Sequence, residues 1–335
     1  MAPTTHRLFA RAVVLLLATL VGAAALAAAP PKVVRAVVLE FPDLQKISAE
    51  QARASAVRAE QLCERLFGLS VRIEVAAAED AEAAFDRWVP PGERLDRSGG
   101  PTPAEAGKMR QDLEAFLLKT PVEGIDRLLP PGSASKWASL VVDRYLARGR
   151  ALAKRLGLTE MKSSRRAVAF LGTWDRLMRA KHGWDLLLTN GPVLYSSQDG
   201  SALHALLRGG IIGGVTIWNI GARTHGGAAM VSSYCLDSGD PDIASLRGRP
   251  ALTGADRADT LAALIAHELG HLFLKLPDNY GHPGCLMHPP LGLEYLEWAR
   301  GARPQGCEDC RRVVAPAQSR SSSTPSSSSS TASPR

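Results

Sequence analysis

Residues 267–271 read His267-Glu268-Leu269-Gly270-His271, and the run from Ala258 into His267 contains neither proline nor glycine. Leu261, Leu264, Ile265, Leu269, Leu272 and Phe273 recur at helical spacing, so the stretch reads as an amphipathic helix. Thr253 followed by Asp256, or Asp259 itself, can cap its start. Positions i and i+4 share one face of a helix, so His267 and His271 can grip one zinc ion between them. Zinc acidifies a water molecule to a pKa of about 7, so the carboxylate of Glu268 suffices as general base. The competing reading is a core helix with two incidental histidines, but a buried His-Glu-His cluster rarely goes unused.

Two histidines leave a catalytic zinc short of its third protein ligand. Downstream, residues 275–287 offer Asp278 and His282. Asp278 is nearer and follows Pro277, which breaks the helix and lets the chain turn back toward the metal. His282 sits in a flexible Gly-His-Pro-Gly context, and Glu294 is a more distant option. The oxyanion of a hydrolytic reaction needs a donor besides the metal, and Tyr280, His288 and Tyr295 are the candidates.

Upstream, Val33 to Phe41 reads as a strand, Ser48 to Phe67 as a helix entered through a capping box and closed by Gly68, and Ser70 to Val75 as an alternating strand. A polar loop with Pro-Gly pairs is expected next. Residues 104–119 and 135–157 read as packing helices, with Pro130, Pro131 and Gly132 breaking the chain between them. Strands are expected again over Arg166–Leu171, Trp184–Leu188, Gly210–Trp218 (glycine-interrupted, as an edge strand would be) and Ala228–Leu236. Beyond Leu276 little regular structure is expected. Strands before a metal-binding helix and loops after it make an α+β or α/β domain with a mixed sheet.

The chain has 335 residues, 45% of them apolar, which suffices for a sizeable core. A net charge of +7 without basic clusters among aromatics gives no nucleic-acid signature. His6, Arg7 and Arg11 precede an apolar run to Ala29, with a small-x-small site at Ala25-Leu26-Ala27. That is the pattern of an export signal cleaved after Ala27, the alternative being an uncleaved anchor. No other segment could span a bilayer, so no stable membrane insertion is expected after cleavage. The expected organisation is a signal peptide over 1–27, a β-α-β plus helical region over 30–165, a metal-site domain over 166–312 and a Ser-rich disordered tail over 313–335. An exported chain permits disulfides, and five cysteines leave at least one thiol free or on a metal.

The sequence resembles the metzincin clan of zinc peptidases, and among them the archaemetzincins, whose histidine motif is followed by Cys-x-Met and a Cys-x-x-Cys. Here these are His267-Glu268-x-x-His271, Cys285-Leu286-Met287 and Cys307-x-x-Cys310. The resemblance implies a zincin fold, a catalytic zinc on His267 and His271, Glu268 as base and Met287 as the Met-turn under the metal. It also implies a second, structural zinc on Cys285, Cys307 and Cys310, with His282 able to stand for the family's missing first cysteine. In an oxidising compartment a disulfide among the three is the alternative. By direct count the family's glycine falls on Leu274 and its third histidine on Pro277; an insertion of one residue brings Asp278 to the ligand place. Leu276-Pro277-Asp278 is also similar to the pattern of immune inhibitor A-like secreted peptidases. The expected function is that of an exported zinc metalloendopeptidase acting on a peptide or protein. The alternatives are an inactive metal- or peptide-binding protein of the same fold and a structural envelope protein.

Overall fold

The computed structural model describes residues 30–90, 101–155, 171–195, 202–221, 224–302, 307, 308 and 310. The expected signal peptide, the Ser-rich tail and the strand over 166–171 lie outside them, save Leu171, which opens a helix.

β1 (Lys32–Glu40) leads to α1 (Ala49–Phe67). Ser48 and Gln51 cap α1 reciprocally, and Gly68 ends it in the left-handed conformation. β2 (Val71–Val75) and the two-residue β3 (Glu79–Asp80) follow. The loop expected after Val75 is in part a helix, α2 (Ala81–Trp88). The carboxylate of Asp80 accepts from the Ala83 N–H, and Ala81, Ala84 and Phe85 are buried, so a cap and an apolar face outweigh the nearby prolines.

α3 (Pro103–Lys119) starts at a Thr102–Glu105 capping box, and α4 (Ala134–Arg155) lies against it. Then come α5 (Leu171–Arg179), β4 (Leu186–Thr189), α6 (Leu203–Leu207), β5 (Gly214–Trp218) and β6 (Gly227–Ser232). β5 starts later than the glycine pattern implied, because Gly209 and Gly210 turn the chain at positive φ. β6 ends at Ser232, whose hydroxyl bonds the Gly191 carbonyl and the Tyr234 N–H and turns the chain into α7 (Tyr234–Asp237). α8 (Pro241–Arg247), the motif helix α9 (Gly254–Leu274) and α10 (Tyr295–Gly301) complete the described elements. Thr253 is the N-cap of α9 but makes no side-chain capping bond.

The sheet order is β2-β1-β4-β6-β5, with β3 on β1. β1, β4 and β6 run parallel, and β5 closes the edge antiparallel to β6. The sheet is therefore mixed and the fold α+β, with helices on both faces. β1 alternates: Val34, Ala36 and Val38 pack toward α1 and α9, Val37 and Leu39 toward α2 and α5. Asn190 extends the β1–β4 pairing, since its amide accepts from the Phe41 N–H and donates to the Phe41 carbonyl.

The sheet draws strands from both sides of the boundary expected at 165/166, because β1 lies between β2 and β4. Small residues of α1 (Ala52, Ser55, Ala56, Ala59) let it approach α9, and Ser55 Oγ reaches the Ala258 carbonyl. Leu261, Ile265 and Leu269 of α9 are fully buried here, each contributing about 1.5–3 kcal/mol. A third cluster joins α3, α4 and α6 to Tyr280 and Leu291. No helix among the described residues is long and apolar enough to cross a membrane.

Candidate metal centre and cleft

α9 presents His267 and His271 on one face, and their rings stand 4.5 Å apart between centroids. The His267 Nδ1–H donates to the Leu286 carbonyl at 2.8 Å and the His271 Nδ1–H to the Leu276 carbonyl at 2.5 Å. Those bonds set both tautomers and leave a lone pair on each Nε2. The chain then turns at Lys275, which takes a left-handed φ of 56° and bonds the Gly270 and His271 carbonyls through its N–H. Few non-glycine residues adopt that conformation. Because the turn sits at 275 rather than 274, Asp278 arrives beside His267 and His271 where direct counting put Pro277.

Asp278 Oδ1 lies 3.6 Å from His267 Nε2 and 3.4 Å from His271 Nε2, and the two nitrogens are 3.0 Å apart. Tetrahedral ligands held 2.0–2.1 Å from zinc stand about 3.3 Å from each other. Asp278 Oδ1 is buried and has no hydrogen-bond partner. A buried, unsatisfied carboxylate oxygen converging with two imidazole lone pairs fits a small divalent cation of zinc's preferences. His282 is not part of this group; its Nδ1 lies 3.2 Å from Asn279 Nδ2.

Electrostatics agree with that placement. Burial, with the charge on His271, brings His267 down to about 4. Burial also lowers His271, but the adjoining Asp278 carboxylate, 3.4 Å away, and the charge of Glu268 outweigh it and lift the imidazole to about 9. Burial alone would raise the Asp278 carboxyl; the adjoining His271 and the charges of the imidazoles of His204, His267 and His271 hold it well below the carboxylate range.

Glu268 is buried between α9 and the edge strand. Its Oε2 and its own carbonyl both accept from the Thr216 hydroxyl, at 2.7 and 3.0 Å. Burial pushes its carboxyl up to about 7. Gly214 makes room for it: a Cβ there would lie 2.4 Å from Glu268 Oε1. Met287 lies under the same helix turn, where a Cβ on Gly270 would come within 2.9 Å of its sulfur.

A cavity of about 410 Å³ opens over these groups, lined among others by His204, Gly214, Thr216, Trp218, Glu268 and the His267–His271–Asp278 set. Tyr280, His288 and Tyr295, the candidate oxyanion donors, do not line it. The Tyr280 hydroxyl bonds His204 Nδ1, His288 Nδ1 bonds the Asn279 carbonyl, and the Tyr295 hydroxyl accepts from Arg208.

Cys285, Cys307 and Cys310 converge in a second buried group, with their sulfurs within 4.8 Å of one another. Cys285 Sγ and Cys310 Sγ are 3.5 Å apart, a non-bonded distance. The Met287 N–H points at Cys285 Sγ and the Cys310 N–H at Cys307 Sγ. The hydrogen bond from Cys310 leads the effects that pull the Cys285 thiol down to about 6. His282 is not among these ligand atoms either, although Asn279 Nδ2, beside it, reaches Cys307 Sγ at 3.6 Å.

Models of known protein families, characterised proteins and solved structures give no match to this chain.

Sequence reasoning passed over His204, Arg208, Thr216 and Trp218. His204 and Arg208 stand four apart, but α6 is too short to show a period. Arg208 is 2% exposed, donates to the Tyr295 hydroxyl and the Pro290 carbonyl, leaves its Nε without a partner, and has no carboxylate at ion-pair distance among the described residues. Thr216 and Trp218 alternate along β5, a signal that was available: Trp218 Nε1 donates to the His271 carbonyl at 3.0 Å.

Proposed function

We propose that this chain is a zinc-dependent peptidase of metzincin type, related in its motifs to the archaemetzincins and acting after export. The observation that carries the reading is the convergence of His267 Nε2, His271 Nε2 and the unsatisfied Asp278 Oδ1 beside the buried Glu268 and an open cleft. When bound, zinc supplies the Lewis acidity that polarises a carbonyl and acidifies a water molecule. Glu268, held by Thr216, takes the proton of that water as it attacks the carbonyl carbon, and passes it to the leaving amine.

The substrate class follows from β5. It is the edge of the sheet among the described residues, Gly214, Val215, Thr216 and Trp218 of it line the cleft, and an extended peptide can add to such an edge through main-chain hydrogen bonds. Convergence of three thiols favours a structural zinc on Cys285, Cys307 and Cys310 over a disulfide, which would use only two of them.

The test is elemental analysis of protein purified without chelators or affinity metals, followed by peptide hydrolysis before and after chelation. About two zincs per chain, with activity lost on chelation and restored by zinc, is the expected result. One zinc that His267→Ala leaves in place would confine metal to the thiols. No zinc, and none taken up by the folded chain, would sink the peptidase and leave a structural envelope protein. Zinc without hydrolysis of any peptide in a diverse library would leave a binding protein.

Gly214→Ala tests the fit of the base. The added methyl overlaps Glu268 Oε1 and displaces the carboxylate, so kcat should fall by about 10–100-fold with zinc content unchanged. Activity at the parent level would mean that Glu268 need not sit where Thr216 holds it.

A further inference from the structure

Hydrolysis at this centre, taken as read above, develops negative charge on the former carbonyl oxygen, and a preorganised donor there is worth a large share of the rate. The hydrogens of Thr216 and Trp218 are committed to α9. His204 differs. Its ring lines both the large cavity and a smaller one of about 20 Å³ that shares His267 and Glu268 as walls. Its Nδ1 lies 2.6 Å from the Tyr280 hydroxyl and 3.8 Å from Asp278 Oδ2, while its Nε2 has no partner among the described residues.

Hydrogen accounting sets the tautomer. The hydroxyl hydrogen of the buried Tyr280 needs an acceptor, and His204 Nδ1 is the one within reach. If Tyr280 donates to Nδ1, the ring, which lines the cleft, carries its own hydrogen on Nε2. One turn along, Arg208 adds a buried positive charge with no carboxylate partner among the described residues, so this wall favours an anion.

We propose that His204 is a catalytic residue: its Nε2–H donates a hydrogen bond to the oxyanion, with Tyr280 as the positioning residue that fixes the tautomer. In the step it assists, the water oxygen bonds to the carbonyl carbon and the C=O π pair moves onto oxygen. Glu268 holds the released proton until the C–N bond breaks and the amine takes it. His204 transfers no proton.

The experiment compares the zinc-loaded full chain with His204→Phe, His204→Gln and Tyr280→Phe, using a quenched-fluorescence peptide that the parent hydrolyses. His204→Phe should lose about 10²–10³-fold in kcat with little change in KM. His204→Gln, which keeps an N–H donor, should recover part of the loss, and Tyr280→Phe should lose about tenfold through misoriented donation. Zinc content and the visible spectrum of the cobalt-substituted protein should stay those of the parent throughout. A kcat within about threefold of the parent in His204→Phe would overturn the proposal. So would loss of metal or a changed cobalt spectrum in that variant, which would make His204 a ligand instead. An active parent with an active His204→Phe removes this donor alone. A zinc-loaded parent that hydrolyses no peptide removes the peptidase reading, and this proposal with it.

Discussion

Glu268→Gln is expected to keep its full complement of zinc and to lose hydrolysis by about 10²–10⁴-fold. The glutamine amide has the volume of the carboxylate and can still accept from Thr216 through its oxygen. Gly214 leaves no space for a larger group, so the side chain should stay in place. What it cannot do is take a proton from water. Glu268 is not in the His267–His271–Asp278 group, so metal affinity should stay within about twofold of the parent. The loss should appear in kcat and kcat/KM together, as for an interaction made only in the transition state. Comparing initial rates and zinc per chain for parent and variant decides it. A variant with metal and near-parent kcat would show that the base lies elsewhere.

Asp237→Ala is expected to destabilise the fold by about 3–5 kcal/mol in denaturant titrations, and with it the metal site. Asp237 and Arg257 form an ion pair in which both side chains are 3% exposed. Arg257 lies near the start of α9 and also donates to the Lys46 carbonyl, to Gln51 on α1 and to Ser233 ahead of α7. Burial raises the pKa of Asp237 despite the guanidinium, so the pair itself contributes modestly. Removing the carboxylate leaves a buried cation without its counter-charge, which costs far more than the pair provides. The double variant Asp237→Leu/Arg257→Met should therefore recover at least half of the loss. If the double variant is less stable than Asp237→Ala, the neutral bonds of Arg257 outweigh its charge. The pair fixes the start of α9 against the sheet, so zinc should dissociate from Asp237→Ala at lower denaturant than from the parent.

The helix that carries His267 and His271 was legible in the sequence because its signals are local: two histidines four apart and an apolar stripe. Asp278 was legible as the nearest of three options, with His282 and Glu294, since Pro277 announced a break but not the direction of the return. The turn at Lys275 was not, because a left-handed non-glycine residue leaves no mark in the sequence. His282 stood second to Asp278 on spacing, and the path of the chain brings Asp278, not His282, beside the two histidines. α2 was lost because its cap and three apolar residues are a weak pattern beside the prolines that follow. His204 was illegible for a different reason. It comes from a five-residue helix held by α4 and the third cluster, so its place in the cleft is a product of tertiary packing.

The position of β1 has a consequence for how this chain folds. Ala36 pairs with Leu186, and the N–H of Arg35 bonds the side chain of Asp185 across 150 residues. The first strand made therefore waits for an inner neighbour that lies far along the chain, and the loop that must close is long. Such non-local pairing slows folding and leaves an apolar strand edge uncovered in the meantime. Refolding of the whole chain should be slow and concentration-sensitive, and a chaperone that shields strand edges should raise its yield.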